Sequence, residues 1–529
     1  MRTASDRLLT TRCATISTML LIGILAAVIL STFASLPMSW DEPDHQGYGR
    51  RILGWTMGLI SGEPDDSALT KGNLYLYGGA FDAPVEAIIH FLPFDHYTLR
   101  HLFTAVVGLL GVIGCAVLGR QAGGPWVGLI AATLLTLTPS WYGHMFWNPK
   151  DIPFATGVVW TLVLLARAAP RFSDLKTGES ALLGAVLGLT LGVRVGGVIL
   201  FPLFAGVAVV AWLRAEKAST ALAASARTLA IIGIVAWVIM LAAWPYAQVA
   251  PLRHPLEALR AASNFDWGLT VLFRGKEVPS DALPLSYLPT MLLIKLPEAV
   301  LILLAAALAA AARLLYRRRL PTLARTEGAA TLLAAATVAL PLLAVIVMRP
   351  VLYDGIRHVL FILPPLMVMA ALGAGAAWRS LGRAPALTRP LILSLVAFWM
   401  AFQIITYVRL HPYQYIDYNL VVGGLRGAAG RFETDYWGTS YREAVRHLDL
   451  SLTADERARN EPWEVWTCSD PLLSSYYFPS HLTLAATPEK ADFFLATTRW
   501  GCPDTVPGQI VGEVKRLGVT LALIKDLRQ

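Results

Sequence analysis

A chain of 529 residues that is 55% hydrophobic and only 15% charged has too little polar surface to cover so large a core, which excludes a soluble globular protein. The formal net charge of +8 sits mostly in short loops between apolar runs. It therefore reports topology and contact with anionic lipid rather than nucleic acid, for which no motif is present.

A helix needs roughly 20 apolar residues to cross about 30 Å of hydrocarbon. Runs of this kind are expected as about eleven spans, at 14–37, 101–119, 125–145, 151–168, 180–193, 195–213, 228–249, 288–312, 328–348, 358–377 and 390–409. The first is basic at its start, and no clean small-x-small site precedes Trp40, so it is expected as an uncleaved anchor rather than a signal peptide. Residues 180–213 are taken as two short helices turning at Arg194, because a single helix would put Arg214, Lys217 and Arg227 on the wrong side.

With that choice Arg2, Arg7 and Arg12, Arg120, the 167–176 and 214–227 clusters, Arg313 with Arg317 to Arg319, and the 379–389 cluster all face one compartment. That side is expected to be cytoplasmic, with the N-terminus inside. Residues 38–100, 250–287 and 410–529 then lie outside. The first of these loops is rich in Trp, Tyr and Pro, and its segment 83–93 is apolar enough to lie along the membrane surface.

Residues 1–409 are expected as one transmembrane domain and 410–529 as a small extracytoplasmic α/β domain. In the latter, 440–460 has helical periodicity, while "WEVWTCS", "HLTLAA", "ADFFLATT" and "VTLALI" have strand character. Cys468 and Cys502 both lie in this tail, where an oxidising compartment would permit a disulfide. No Cys or His spacing suggests a zinc site.

The polar residues at the outer ends of the spans carry the chemistry. "SWDEPDHQ" places Asp41, Glu42, Asp44 and His45 just after the first span. In "WNPKDIPFA", Asn148 has the character of an N-cap, with Pro149 at N1 and Asp151 at N3, but Lys150 opposes the macrodipole unless an anion also binds there. Arg357 and His358 in "YDGIRHVLF", Arg194 at the outer turn, and Lys295 near Glu298 are further charges at membrane level. Such charges are costly and usually face a cavity. Carboxylates beside several cations suit a lipid-linked phosphosugar: the cations stabilise the leaving phosphate, and one carboxylate takes the acceptor proton. A phosphate leaves without protonation, so one base suffices and inversion is expected.

The Asp41-Glu42 pair after the first span, the "NPKD" motif and "YDGIRH" resemble the GT-C superfamily of polyprenyl-phosphate-sugar transferases, in particular the glycosyltransferase 39 or protein O-mannosyltransferase-like group, over roughly residues 10–410. The resemblance implies a bacterial inner-membrane glycosyltransferase with its active site and tail outside. It implies a catalytic Asp in the Asp41-Glu42 pair, so Asp41 is expected as general base with Glu42 orienting it or contacting a substrate; from their positions in the sequence, Asp151 and Lys150 are expected as a supporting carboxylate and a phosphate contact, and Arg194, Lys295, Arg357 and His358 compete for the donor phosphate. The loop 250–287 is too short for the β-trefoil insertion of the eukaryotic enzymes, so the acceptor stays open among lipid, glycan and protein. "GRFETDYWGTSYREA" is similar to tails of bacterial membrane proteins grouped with family-39 transferases.

No cofactor is required by this chemistry, and a divalent metal between Asp41, Glu42 and Asp151 is the less favoured arrangement. Trp40, Trp55, Trp147, Trp244 and Trp267 are expected in the interfacial belt, and Asp82, Asp266 and Asp354 in structural roles. Asp44 and His45 are expected to be solvated or interfacial. A transporter for a lipid-linked glycan would show midplane charges and repeated halves, and a noncatalytic scaffold would leave Lys150, Arg194 and Arg357 without purpose.

Overall fold

The computed structural model describes residues 4–263, 268–319, 321–383 and 385–528. Asp266 and Trp267 lie outside them. Among the described residues nine helices are long and apolar enough to cross a membrane, and two shorter apolar helices, Pro125–Thr136 and Thr177–Val193, bring the set to the expected eleven. The chain is a multi-pass helical membrane protein with a small sheet domain at its C-terminal end.

Several expected spans are broken, each where proline removes a helical hydrogen bond. The run 125–145 divides at Pro139 into Pro125–Thr136 and Pro139–Trp147. The run 288–312 divides at Pro297 into Tyr287–Lys295 and Glu298–Tyr316. At the second break Asn419 satisfies the orphaned carbonyls, its Nδ2 donating to Leu293 and Leu296 O at 2.7 Å each.

Burial ranks the helices. The membrane-length helix beginning at Asp151 is 78% buried over its apolar window and the one beginning at Arg357 is 72% buried, whereas the last, Thr388–Leu410, is 6% buried. The helices that open with the candidate charges are thus the central ones, and Thr388–Leu410 lies at the periphery, touching the others through side chains such as Gln403 and Tyr407.

A hairpin, β1 (Thr270–Phe273) and β2 (Lys276–Pro279), projects from the 250–287 loop. The tail holds β3 (Trp463–Cys468), β4 (Leu482–Leu484), β5 (Phe493–Thr497), β6 (Gln509–Arg516) and β7 (Val519–Asp526) in the order β4-β3-β5-β7-β6. β3 runs parallel to β4 and β5, and the others pair antiparallel. β5 is buried along its whole length, as a central strand covered on both faces must be. Strand β6 escaped the sequence analysis because QIVGEVKR has one buried position and no regular alternation. The expected helix 440–460 stops at Ser451 and resumes as the short Ala454–Arg457; Tyr441, Ala444, Val445 and Leu448 form its buried stripe.

Cys468 and Cys502 are bonded across 34 residues, tying the end of β3 to the turn after β5. Closing a loop of that length constrains the unfolded chain by about 4 kcal/mol. Reduction is expected to lower the unfolding midpoint of the tail while the transmembrane helices keep their far-UV signal; a midpoint unmoved by reductant would show the bond to be idle.

Candidate functional site

The first loop is clamped before it reaches Asp41. Trp147 Nε1 donates to Pro37 O at 2.7 Å, Met38 N to the Tyr477 hydroxyl at 2.6 Å, and Trp40 N to Trp437 O at 3.1 Å. The helix Glu42–Ser61 then starts with Pro43 in its first turn. Glu42 completes that start: its Oε2 accepts from Ser39 N at 2.7 Å, and its Oε1 lies 3.0 Å from His101 Nε2. Glu42 therefore secures the helix end and does not reach Asp41's cavity, contrary to the expected partnership. Asp41 occupies the N-cap position but makes no capping bond, so its carboxylate is left for other contacts.

At the second motif the helix begins at Asp151, with Lys150 rather than Asn148 at the cap position. Asn148 still serves the turn, because its Oδ1 accepts from Asp151 N at 2.7 Å while its Nδ2 donates to Asp151 Oδ2 at 2.9 Å. This holds the Asp151 carboxylate against Arg194 Nη1 on one oxygen and 3.5 Å from Arg357 Nε on the other.

Arg357 is the hub. Its Nη2 donates to Asp41 Oδ2 at 2.7 Å and its Nη1 to Asp354 Oδ2 at 2.7 Å. Asp354 and Gly355 take positive φ, 53° and 71°, which turns the Asp354 carboxylate back onto the guanidinium. The other Asp354 oxygen accepts from Arg499 Nη2 at 2.7 Å, and the same Nη2 lies 3.0 Å from Glu433 Oε1. A continuous line of alternating charge thus runs Arg194, Asp151, Arg357, Asp354, Arg499, Glu433, with Asp41 branching from Arg357. A planar guanidinium meets several carboxylates through a rigid fork of donors, whereas an ammonium is a compact point charge without that geometry.

Lys150 stands apart from this network. It is 8% exposed, its ammonium lies 4.7 Å from the Tyr77 ring centre, and among the described residues it forms no ion pair. Tyr77 is brought there by a close backbone approach: a side chain at Gly78 would strike Gly192 O at 1.9 Å, and Gly79 N and Ala80 N bond to Ala243 O and Gly192 O. Arg194 lies 5.6 Å from the same ring.

These groups surround a cavity of about 150 Å³ lined by Asp41, Lys150, Arg357, Trp437 and Trp500, among others. It adjoins a mostly apolar groove of about 250 Å³, lined by Leu76, Phe154, Arg194, Ile199 and His358; Tyr77 and Tyr353 belong to both. Burial alone would raise the Asp41 pKa, but Arg357, then Lys150, outweigh it and hold the carboxyl below its ordinary 3.8. Asp41 is ionised at neutral pH.

Of the residues singled out in the sequence, Asp41, Lys150, Asp151, Arg194 and Arg357 converge. Lys295 does not: its ammonium donates to Tyr415 O at 3.1 Å and Asp417 O at 2.9 Å and lies 3.6 Å from the Tyr418 ring centre. His358 faces the groove edge-on to Tyr353, centroids 4.4 Å apart, and is not part of the smaller cavity. Asp354, expected in a purely structural role, lines that cavity. His45 is buried rather than solvated, its Nδ1 2.7 Å from Asp82 Oδ2, and Arg100 holds the other Asp82 oxygen.

Trp55, Trp147 and Trp244 are core residues and not belt residues. All three are buried, and their indole N–H groups bond to Gln248, Pro37 and Tyr75. Of the expected belt tryptophans among the described residues, Trp40 alone borders the cavity, edge-to-face with Trp500 at 6.0 Å. In the segment 83–93, Val85, Glu86 and Ile89 are buried, whereas Phe91 at its end is 86% exposed.

Tyr77, Tyr353, Tyr436, Trp437, Arg499 and Trp500 were not anticipated. The available signals were "YDG" beside Arg357 and the aromatic "DYWG" of the tail. Among the described residues no three His, Cys, Asp or Glu side chains are grouped to hold a metal ion.

No family model matches the chain, and no curated protein matches it. Among solved structures it is similar to ArnT from Cupriavidus metallidurans bound to undecaprenyl phosphate, with 14% identity, 96% of this chain and 97% of that chain covered, and a TM-score of 0.49. It is also similar to the oligosaccharyltransferase of Archaeoglobus fulgidus in its apo form, with 14% identity, 85% of this chain and 62% of that chain covered, and a TM-score of 0.44. A third similarity is to the archaeal oligosaccharyltransferase AglB from the same organism in complex with an inhibitory peptide and a dolichol-phosphate, at 12% identity, 91% and 69% coverage, and a TM-score of 0.43.

Proposed function

We propose that this chain is a GT-C-type glycosyltransferase that moves a sugar from a polyprenyl-phosphate donor to an acceptor hydroxyl, with inversion, on the outer face of a bacterial inner membrane. The observation that carries the reading is Lys150: a buried cation without an ion-pair partner among the described residues, at the first turn of an 18-residue helix, where an apolar groove meets a carboxylate-lined cavity. A helix N-terminus with a spare cation suits a phosphate. The groove suits the isoprenoid chain attached to that phosphate.

In this reading the donor phosphate takes Lys150, with Arg194 beside it at the groove. Arg357 holds Asp41 through Oδ2 and leaves Oδ1 without a protein partner among the described residues. Asp41 accepts the proton from the acceptor hydroxyl as its oxygen attacks the anomeric carbon. The carbon–oxygen bond to phosphate breaks on the opposite face, and polyprenyl phosphate leaves as an anion stabilised by the cations already in place. Asp151 and Asp354 keep Arg194 and Arg357 positioned.

The reading is tested with purified protein in lipid and a panel of radiolabelled polyprenyl-phosphate sugars, following label into an envelope extract; a wild-type protein that neither binds nor consumes any donor would overturn it. Lys150→Ala is expected to weaken donor binding about tenfold or more, the scale of a lost charge-assisted contact. Lys295→Met is expected to lower thermal stability with donor affinity unchanged, because Lys295 bonds only backbone carbonyls and an aromatic face. The reverse pattern would move the phosphate site to Lys295.

A further inference from the structure

A second cavity, of about 470 Å³, lies between the hairpin β1–β2, residues 426–436 and the turn after β5. It shares Tyr436, Arg499 and Trp500 with the Asp41 cavity, so the two adjoin across these side chains. Its size falls within the range of small-ligand sites, about 300–1,000 Å³. None of the membrane-length helices contributes to its lining, which comes from the hairpin and the tail.

The lining is polar and specific. Glu433 is 8% exposed, and among the described residues its Oε2 has no hydrogen-bond partner. A buried carboxyl oxygen left unbonded costs free energy that a ligand donor would recover. The lining also includes Thr434 and Thr498, whose hydroxyls lie 3.4 Å apart, together with Thr520, Glu277 and Trp500. We infer that this cavity is the acceptor subsite and that it takes a neutral glycan, whose ring hydroxyls meet Glu433 and the threonines and whose apolar ring face meets Trp500.

The inference rests on the transferase reading and narrows its acceptor class. Hydroxyl-rich rings need closely spaced acceptors and donors beside an aromatic surface, and this lining supplies both. Anionic acceptors are disfavoured, since three carboxylates, Glu277, Glu433 and Asp435, line the cavity against two guanidiniums, of which Arg499 is committed to Asp354 and Glu433 and Arg426 donates through Nε to Leu517 O. Burial raises the Glu433 pKa to about 7, so near neutrality the carboxyl can donate as well as accept.

The experiment uses the full chain in lipid nanodiscs and a printed panel of neutral and uronate-containing di- to tetrasaccharides, with donor binding measured in parallel. Wild type and Asp41→Asn are expected to bind neutral members and not uronates. Glu433→Leu, which removes both oxygens, and Thr498→Trp, which blocks the mouth from an exposed position, are each expected to lose about tenfold or more of that binding with donor affinity unchanged. Failure of wild type to bind any neutral glycan, or undiminished binding in both variants, overturns the subsite. Glycan binding that depends on Glu433, in a protein that binds no donor, leaves the subsite standing and overturns the transferase reading.

Discussion

Asp41→Asn is expected to abolish sugar transfer while sparing donor binding. The amide keeps the shape of the carboxylate and can still accept from Arg357 Nη2 through an oxygen, so the 2.7 Å contact that orients the group survives. What disappears is the capacity to take a proton. General-base catalysis contributes about 10²–10⁴-fold, and a loss of that size is expected in the rate at saturating donor, with donor affinity near wild type. A variant that transfers at the wild-type rate would remove Asp41 from the chemistry.

The pH profile checks the same assignment with the native side chain. Arg357 and Lys150 hold the Asp41 pKa below its ordinary 3.8 against the opposing effect of burial. A depressed carboxyl is ionised above its folded pKa and loses its charge only as pH falls through that value. The base therefore stays competent from neutral pH down to the ordinary carboxylate range, and an acid limb centred near neutrality must come from another group. An Asp41→Asn protein retaining the wild-type acid limb on its residual rate would assign that limb elsewhere.

Arg357→Lys is expected to be the most damaging conservative change in the protein. One guanidinium here meets Asp41 and Asp354 at 2.7 Å each and lies 3.5 Å from Asp151, and a lysine ammonium cannot reproduce that fork. The lysine keeps the positive charge but cannot reach all three carboxylates, and a buried carboxylate that loses its partner altogether costs roughly 3–5 kcal/mol, which bounds the loss of stability. Both the thermal midpoint and the transfer rate should fall, the rate by about 10²-fold or more as Asp41 loses its fixed orientation. Donor-protected melts separate the two effects: added donor restores part of the midpoint if the phosphate site is intact. An Arg357→Lys protein with a wild-type midpoint and wild-type turnover would show that the network holds nothing in place.

The points of convergence were legible because each carried a local contradiction. Lys150 sits at a helix N-terminus that disfavours cations, Arg194 lies in a turn between two short apolar helices, and Arg357 opens a membrane helix. In each case the sequence alone places a charge where only a partner makes it tolerable. The same logic singled out Lys295, which the structure places away from the other cations, since a charge near the membrane can be tolerated equally well by backbone carbonyls, here those of Tyr415 and Asp417. It also misassigned Glu42, whose partners are Ser39 N and His101 and not the neighbouring Asp41.

Composition and apolar run length by themselves determined the class of molecule and its apolar helices, because transfer free energy accumulates along contiguous sequence, and strand character in the tail marked the small sheet domain. The positions of helix breaks were left to Pro139 and Pro297 acting within otherwise apolar runs. Only the tertiary structure decided which charges meet: Asp41 and Arg357 are 316 residues apart in the chain, and Asp354 and Arg499 are 145 apart. Ion pairing is short-ranged and depends on how helices and tail pack, so no local pattern could join Arg499 and Trp500 to a cavity also lined by the first loop.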